Sequence, residues 1–342
     1  MTRPTFPRLD APAPKSDDAA RDVASLSEAV PVSRDAPLFI VMNAGSGKHE
    51  DEDPRVVIRS ILTSAGRAFS LHEVSDPERL KDVAAEVVAK ARAERGIVVA
   101  AGGDGTINAV AAATLGSGCP FGVIPLGTFN YFSRAHGIPA DVTAACGFLL
   151  APLAFPVQVG LVNERVFLVN GSIGLYPELL EEREQAKQRH GRSRFVAAGA
   201  ALMTLLRPHR TLRIAVETRG RTRNVVTPTL FVGNNRLQLE RVGIPVTDLT
   251  VRHHLIAVLL RPIGVLGMLA LIVRALVGRL GDAERVDFVP LERMTVRSRF
   301  GSGRFKVATD GEVEWLRGPL VFRVAPHALI LLRPADPGED PG

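Results

Sequence analysis

The segment Gly96–Asn108 reads GIVVAAGGDGTIN, and it is the strongest indication of fold class in the sequence. Its first half is a short apolar run of the kind that forms a buried strand, and its second half is a polar turn with three glycines. The alanine-rich segment Ile107–Leu115 then predicts a helix. Ligands of open α/β sheets bind where a parallel strand ends and a helix begins. The stretch therefore predicts a strand that delivers a ligand-binding loop.

The loop Gly102–Asn108 has the composition of a phosphate-binding turn. Its glycines let the backbone approach a ligand closely, and the following helix offers unpaired N–H groups and the positive end of its dipole. Thr106 adds a hydroxyl donor. Asp104 calls for a different partner, either Mg²⁺ or a hydroxyl group that awaits deprotonation. The alternative interpretation is a tight turn with an aspartate cap and no ligand.

Two further glycine-containing loops also follow predicted strands. Asn43–Lys48, NAGSGK, comes after an apolar run but lacks the spacing of the common phosphate loop, and Lys48 is a candidate phosphate contact. Pro125–Asn130, PLGTFN, follows another short strand, and Thr128 and Asn130 are candidates for ribose or phosphate. Three such loops at the strand ends of one sheet predict a nucleoside triphosphate pocket.

The order of predicted elements indicates two domains. Strands and helices alternate up to about residue 150, which favours a parallel sheet with helices on its faces, and strands dominate afterwards. We expect a disordered tail at 1–36, an α/β domain at 37–160, a β-rich domain at 161–334 and a tail at 335–342, and we leave open whether the chain end returns to the first domain. The strands expected in the second half are Val166–Ser172, Leu212–Glu217, Val225–Val232, Leu255–Leu260, Met294–Arg299, Arg304–Ala308, Leu320–Val324 and Leu329–Leu332, with helices at Glu178–Lys187, Arg194–Leu206 and Gly264–Leu280.

Composition limits the class of protein. The chain has 342 residues, a formal net charge of +6, 46% hydrophobic and 23% charged residues, which is ordinary for a globular protein. Its two cysteines exclude a disulfide framework and a four-thiolate metal site, and they favour a reducing, intracellular setting. The apolar stretch Leu255–Leu280 is interrupted by Arg261, Pro262 and Arg274, so it predicts a strand and a buried or membrane-touching helix rather than a membrane span.

The segment Ala308–Val313, ATDGEV, lies between two predicted strands. A hairpin turn at Asp310 and Gly311 is the plain interpretation, because Asp-Gly suits the backbone of a two-residue hairpin loop. Glu312 is then a carboxylate at the start of a strand.

Together these segments resemble the diacylglycerol kinase catalytic family, in particular its soluble bacterial lipid kinases. NAGSGK resembles the family's first motif, GGDGTIN its signature, and PLGTFNYFSRAHGIP its third motif. GLVNERVFLVNGSIGL is similar to the family's domain-crossing stretch, and the D-G-E text at 310–312 to its closing segment. GGDGT alone also occurs in NAD kinases and relatives of phosphofructokinase, but the ordered set from about residue 37 to 334 is specific.

The resemblance implies an N-terminal α/β domain with a parallel sheet, similar to NAD kinase and phosphofructokinase, and a C-terminal antiparallel β-sandwich-like domain, with ATP in a cleft between them. It implies transfer of the γ-phosphate of ATP to a hydroxyl of diacylglycerol or a related lipid. Glu312 would be the catalytic proton acceptor, and Asp104 would organise Mg²⁺ and ATP through water. The nucleotide-binding residues expected are Asn43, Gly45, Ser46, Gly47, Lys48, Ser75, Gly102, Gly103, Asp104, Gly105, Thr106, Ile107, Asn108, Gly127, Thr128 and Asn130.

Two departures from the family pattern stand out. Tyr131 occupies the position where the family usually has aspartate, so one carboxylate near the substrates is lost. Many bacterial members bind a structural Mg²⁺ at an aspartate-containing loop, whereas Thr250–Val258 has Arg252, His253 and His254, so we expect no such ion here. Adjacent histidines in a strand point to opposite faces, which favours a solvated or capping role over zinc binding.

The segment Arg183–Arg223 is strongly basic, with eleven Lys or Arg and two acidic residues. Such a segment is either a solvated surface or a contact for an anionic membrane. It shows no recognised nucleic-acid motif. We expect a lipid substrate, a cytoplasmic protein with peripheral contact at the inner membrane face, and no nucleic-acid partner; the oligomeric state stays open. The alternatives are a soluble-metabolite kinase similar to NAD kinase and a non-catalytic lipid- or nucleotide-binding regulator.

Overall fold

The computed structural model describes residues 29–30, 32–46, 52–150, 153–190, 211–218, 220–234, 254–262, 286–299 and 303–333. The described residues form two compact units. The first unit comprises residues up to 159 together with 325–333, and the second comprises residues 160–324.

The first unit is built on one six-stranded sheet with the order β2-β1-β3-β4-β18-β5. The first four strands in this order run parallel, β18 is parallel to β4, and β5 is antiparallel to β18. The central strands are apolar throughout, as expected for strands with helices on both faces. The strands are β1 (Leu38–Asn43), β2 (Phe69–Val74), β3 (Ile97–Gly102), β4 (Phe121–Pro125), β5 (Ala154–Val157) and β18 (Leu329–Leu332).

In the described part of the first unit, five α-helices connect these strands. The first helix begins after Asp53, whose carboxylate accepts a hydrogen bond from the Arg55 N–H at 3.0 Å, and it presents Ile58 and Leu62 to the core. Helix α2 is preceded by a 3₁₀ turn at Pro77–Arg79. The helices are α1 (Pro54–Ser64), α2 (Leu80–Ala93), α3 (Asp104–Thr114), α4 (Tyr131–Ala135) and α5 (Val142–Leu150).

The last described strand, β18, lies inside the first sheet rather than at its edge. Leu329, Leu331 and Leu332 are at most 3% exposed, and Leu331 pairs with Phe121 of β4. The first unit therefore closes its core with residues from the far end of the chain.

The second unit contains two six-stranded sheets in which neighbouring strands are antiparallel. Their orders are β10-β9-β14-β17-β6-β7 and β13-β12-β11-β8-β15-β16, and side chains from both sheets form a shared apolar core that includes Phe167, Phe305 and Phe322. Among the described residues of this unit there is one helix, α6 (Leu175–His190). The strands are β6 (Gly160–Val162), β7 (Arg165–Phe167), β8 (Asn170–Gly174), β9 (Leu212–Thr218), β10 (Arg221–Thr227), β11 (Thr229–Gly233), β12 (Leu255–Leu260), β13 (Val286–Leu291), β14 (Arg293–Ser298), β15 (Arg304–Thr309), β16 (Glu312–Arg317) and β17 (Leu320–Val324).

The predicted fold class is confirmed: an α/β unit with a mostly parallel sheet and a second unit of antiparallel sheets. Two predicted strands are each divided in the structure. Val166–Ser172 is split between β7 and β8, and Val225–Val232 is split between β10 and β11 at Pro228, which has no N–H for a sheet ladder. The predicted helices Arg194–Leu206 and Gly264–Leu280 lie outside the described residues.

Within the described ranges, no helix is long and apolar enough to cross a membrane. The first six residues of the apolar stretch at 255–280 form β12, and residues 263–280 lie outside the described part of the chain.

We predict that Leu331→Ala destabilises the first unit by about 2–5 kcal/mol, because it opens a cavity in the middle of the sheet. Hydrogen–deuterium exchange should become faster in peptides from β3 and β4. Val56→Ala is the matched control, since Val56 is 63% exposed on α1 and its truncation leaves no cavity. Equal exchange in both variants would contradict a central position for β18.

Candidate functional site

The ends of four parallel strands lie side by side at one edge of the first sheet. Asn43 at the end of β1 pairs with Val74 at the end of β2, and Gly102 at the end of β3 pairs with Pro125 at the end of β4. Since the strands run in the same direction, the loops that follow them leave from the same edge. The three predicted glycine loops and Ser75 are therefore neighbours in the structure.

Helix α3 begins directly after Gly103, earlier than the helix predicted at Ile107–Leu115. Asp104 is consequently in its first turn, where N–H groups have no partner within the helix. Thr106 and Ile107 are buried and fix this turn to the sheet. An α-helix of eleven residues with its N-terminus at a sheet edge can bind a phosphate group through N–H groups and the helix dipole.

The loops after β3 and β4 touch through their backbones. A Cβ atom placed on Gly127 would lie 2.7 Å from the Cα of Gly103 and 2.7 Å from the Asn130 side-chain oxygen. A real Cβ atom does not fit at such distances, so only glycine at position 127 permits this approach. The contact brings the start of α3 against the loop that precedes α4.

Asn130 holds the second of these loops in shape. Its backbone has a positive φ of 48°, and its amide accepts a hydrogen bond from the Gly127 N–H at 3.1 Å and donates one to the Gly127 carbonyl at 2.8 Å. The side chain is 6% exposed. We therefore interpret Asn130 as a loop-forming residue, whereas the adjacent Thr128 is exposed at the same edge.

The Asp104 carboxylate faces the start of α4. The backbone N–H groups of Asn130, Tyr131 and Phe132 are directed at it and lower its pKa, but burial raises the pKa more strongly, so the net shift is upward. Its Oδ1 atom is buried and has no hydrogen-bond partner within the described residues. An unsatisfied buried carboxylate oxygen is costly unless water or a cation completes it.

The end of α4 is fixed by packing. His136 follows the helix, contacts the Phe132 ring edge-to-face with centroids 4.6 Å apart, and has its pKa lowered to about 3 by burial, with the charge of Arg333 adding to the shift. His136 is therefore neutral at physiological pH. This packing holds α4, and with it the N–H groups that face Asp104, in one orientation.

The loop after β1 is tied to the loop after β3. Asn43 accepts a hydrogen bond from the Gly45 N–H at 2.9 Å, and its side-chain nitrogen lies 3.4 Å from the Thr106 hydroxyl oxygen. Thr106 is only 4% exposed, so the structure makes it a packing and tethering residue instead of the open hydroxyl donor that its sequence position suggested. Ser46 is described at this edge, whereas Gly47 and Lys48 lie outside the described residues.

Ser75 lies at the same sheet edge, immediately after β2, and it is exposed. Asp76 begins the following 3₁₀ turn by accepting a hydrogen bond from the Glu78 N–H at 2.9 Å. Gly105 and Asn108 complete the predicted set, and both are half-buried in the first turns of α3. The structure thus collects the described members of the predicted nucleotide site at one edge of the first sheet.

The second unit holds the remaining predicted residue, Glu312. The predicted hairpin is confirmed: β15 and β16 are joined by a two-residue turn in which Asp310 and Gly311 have φ values of 49° and 95°. Glu312 is the first residue of β16, and its side chain is exposed. The Glu312 carboxylate is therefore open to solvent.

Asp310 does more in the structure than form the turn that its sequence predicts. Its carboxylate accepts backbone hydrogen bonds from Leu168 at 2.7 Å, Val169 at 2.9 Å and Asn170 at 2.9 Å. Its own N–H donates to the Asn170 carbonyl at 3.0 Å. These bonds fix the turn, and therefore the start of β16, to the segment that leads into β8. The only signal in the sequence is the Asp-Gly pair itself.

Metal-binding side chains do not form clusters in the described part of the chain. No group of three or more His, Cys, Asp or Glu residues there is placed to hold a metal ion. Asp104 nevertheless fits Mg²⁺, because Mg²⁺ is commonly held by one or two carboxylates together with phosphate oxygens and water. Of the two predicted histidines, His253 lies outside the described residues, and the His254 ring nitrogen Nε2 lies 3.6 Å from a Glu292 carboxylate oxygen.

Part of this chain is similar in sequence to known proteins. Residues 37–162 match the family model described as the diacylglycerol kinase catalytic domain. The chain is 31% identical to a diacylglycerol kinase of Bacillus subtilis over 173 residues, which cover 49% of this chain and 56% of that protein. It is 30% identical to the probable lipid kinase YegS-like of Cronobacter sakazakii over 188 residues, which cover 52% and 60%.

A solved structure from Bacillus anthracis, named provisionally as a diacylglycerol kinase, superimposes with a TM-score of 0.68 at 20% identity. The match covers 90% of this chain and 99% of that one, and it supports the fold. The curated relatives named above are matched over 56 to 60% of their length. The resemblance found in the sequence is thus confirmed for the N-terminal segment.

We predict that Asp310→Ala destabilises the second unit by about 3 kcal/mol, because three backbone N–H groups lose a charged acceptor. Asp310→Asn should cost less, since the amide keeps one acceptor oxygen. The emission of Trp315, the single tryptophan of the chain, reports urea unfolding of this unit. The control is Glu164→Ala, whose side chain is 92% exposed. If the two alanine variants unfold at the same urea concentration, the three hydrogen bonds to Asp310 do not stabilise the second unit.

Proposed function

We propose that the protein is an ATP- and Mg²⁺-dependent lipid kinase, because residues 37–162 match the family model described as the diacylglycerol kinase catalytic domain. It would transfer the γ-phosphate of ATP to a hydroxyl of diacylglycerol or a related lipid. The observation that carries the proposal is the collection of three glycine loops at one sheet edge, with the Asp104 carboxylate buried among them.

In this proposal, the loops at 43–48, 102–108 and 127–130 bind the triphosphate of ATP. Backbone N–H groups at the start of α3 meet phosphate oxygens, and the close approach at Gly127 leaves no side chain in the way. Exposed Ser75 and Thr128 add hydroxyl groups at the rim. Asn43, Thr106 and Asn130 act indirectly, by holding the loops in the shape that binds the nucleotide.

The second role of this edge is to place a cation. The free Oδ1 of Asp104 would bind Mg²⁺ or a water molecule of its hydration shell. Mg²⁺ supplies positive charge against the phosphate oxygens during phosphoryl transfer. Because burial raises the pKa of Asp104, the positive charge of the ion also favours the ionised form of this carboxylate.

Glu312 is the proposed general base. Phosphoryl transfer to an alcohol requires that the hydroxyl proton go to an acceptor as the hydroxyl oxygen bonds to the γ-phosphorus and ADP leaves. Glu312 is an exposed carboxylate on a turn that Asp310 holds with three hydrogen bonds, so its backbone position is fixed. We propose the cytoplasm as the site of action, at the inner face of the membrane where such lipids reside.

Phosphate transfer to lipid tests this function directly. The purified chain is incubated with γ-³²P-labelled ATP, Mg²⁺ and a panel of lipids in detergent micelles, and in parallel with NAD. We expect label in the organic phase for diacylglycerol or a related lipid. Label that appears only in NADP would instead support a soluble-metabolite kinase. Nucleotide binding without any transfer would support a regulator, as the loss of the usual aspartate at Tyr131 allows.

We predict that Glu312→Gln lowers kcat by at least about 100-fold, because general-base catalysis contributes on that order, while ATP affinity changes little. Glu164→Gln is the control, as it removes an exposed carboxylate of the same unit far from the turn in sequence. Turnover is measured by the label assay and ATP affinity by calorimetry. A Glu312→Gln enzyme that retains the wild-type rate would remove Glu312 from the mechanism.

A further inference from the structure

The hairpin that carries Glu312 also bears an unusual exposed surface. Strand β16 is at the edge of its sheet, and Trp315 in this strand is 56% exposed. In register, Trp315 lies opposite Lys306, and Arg317 lies opposite Arg304. Since alternate residues of a strand share a face, these four side chains stand on the same face of the hairpin. We refer to Trp315, Arg304, Arg317 and Lys306 as the Trp315 surface.

Two cations of this surface lie against the indole. The guanidinium carbon of Arg304 is 5.7 Å and the Lys306 ammonium nitrogen 5.4 Å from the centre of the ring. Lys306 also forms an ion pair of 2.7 Å with Glu181 of α6. Its charge is therefore balanced within the protein, whereas Arg304 and Arg317 are both exposed at the open end of the hairpin.

The pairing of Arg304 with Arg317 is unfavourable by itself. Like charges directly opposite each other in an antiparallel pair repel and destabilise it. An anion that binds both guanidinium groups would remove this repulsion, because arginine binds phosphate through two parallel hydrogen bonds. The geometry of the hairpin is thus complementary to a negatively charged partner.

The acidic residues of the hairpin do not cancel this charge at the open end. The Asp310 carboxylate is bonded to three backbone N–H groups, and Glu314 is ion-paired with Arg165. Glu312 is exposed, but it lies at the turn end, three residues before Trp315. At about 3.3 Å per residue this is about 10 Å along the strand.

We propose that the Trp315 surface docks the protein on an anionic lipid bilayer, with the indole at the level of the headgroups and the two arginines on lipid phosphates. Tryptophan favours this interfacial region, because its apolar ring can contact lipid chains while its indole N–H stays hydrated. The inference deepens the proposed function and rests on it, because it gives the membrane contact that a lipid acceptor requires on the same hairpin that carries Glu312.

A nucleic acid is a weaker match to the same surface. Binding of single strands depends on several aromatic side chains on which successive bases stack. In the described part of the second unit, Trp315 is the only exposed aromatic side chain. One indole flanked by two guanidinium groups suits a headgroup layer better than a run of bases.

Trp315 is the single tryptophan of the chain, so its fluorescence reports this surface alone. The purified full chain is titrated with vesicles of phosphatidylcholine and with vesicles of phosphatidylcholine and phosphatidylglycerol in equal amounts. The proposal predicts a blue shift of emission with the anionic vesicles only, reversal in high salt, and quenching by brominated phosphatidylglycerol. Unchanged emission with anionic vesicles that do sediment the protein would show docking elsewhere and would overturn the proposal.

Variants test the two arginines. Arg304→Gln and Arg317→Gln should each weaken binding to anionic vesicles about fivefold, since a well-placed cation near a membrane contributes about 1 kcal/mol. Arg293→Gln removes an exposed arginine from β14 in the other sheet and should leave affinity unchanged. If all three variants bind anionic vesicles with the affinity of the unmodified chain, the proposal is contradicted. The quenching experiment on the unmodified chain keeps the test valid if a variant fails to fold.

Two further arms separate this inference from the proposed kinase function. Vesicle binding is measured without ATP, and phosphate transfer is measured in detergent micelles that need no docking. Vesicle binding through Trp315 without transfer to any lipid would refute the kinase function and retain the surface. Phosphate transfer in micelles without vesicle binding would retain the kinase function and overturn the proposal for the Trp315 surface. A blue shift with a single-stranded oligonucleotide but not with vesicles would also overturn the bilayer assignment.

Discussion

The candidate site depends on the contact between the backbones of Gly103 and Gly127. No side chain fits between them, so two loops that follow adjacent strands lie against each other. This contact brings the start of α3 beside the start of α4 and places the Asp104 carboxylate opposite the N–H groups of α4. Both loops lie at the sheet edge, and Thr128 in the second of them is exposed. We propose that this packing forms the phosphate-binding surface, without any basic side chain among the described residues of these two loops.

Much of this arrangement could be predicted from the sequence, because it follows local rules. Apolar runs that end in glycine loops predict parallel strands with a ligand at their carboxyl ends, and the Asp-Gly pair at 310–311 predicts a hairpin. What the sequence could not show is which polar side chains the fold itself uses. Thr106 and Asn130 looked like ligand contacts, but they are buried and bonded to neighbouring loop residues. Short polar side chains bond readily to nearby backbone, and sequence alone does not tell the two uses apart.

Contacts between residues far apart in the chain could not be predicted from the sequence either. The Asp310 carboxylate accepts hydrogen bonds from N–H groups about 140 residues earlier in the chain, and no local sequence pattern predicts such partners. Pro228 divides one apolar run into two strands that pair with different neighbours, since it cannot donate to a ladder. The position of β18 inside the first sheet depends on how the core closes, and its apolar sequence fits either unit.

Hydrogen–deuterium exchange with and without Mg²⁺ and ATP tests whether these loops bind the nucleotide. We expect slower exchange in peptides covering 43–46, 103–108 and 127–130 when the nucleotide is added. Gly127→Ala should lose this protection, whereas Gly147→Ala should keep it, because a Cβ atom at position 147 meets no other atom within 4 Å. Protection confined to other parts of the chain, or none at all, would contradict the claim that these loops bind the nucleotide.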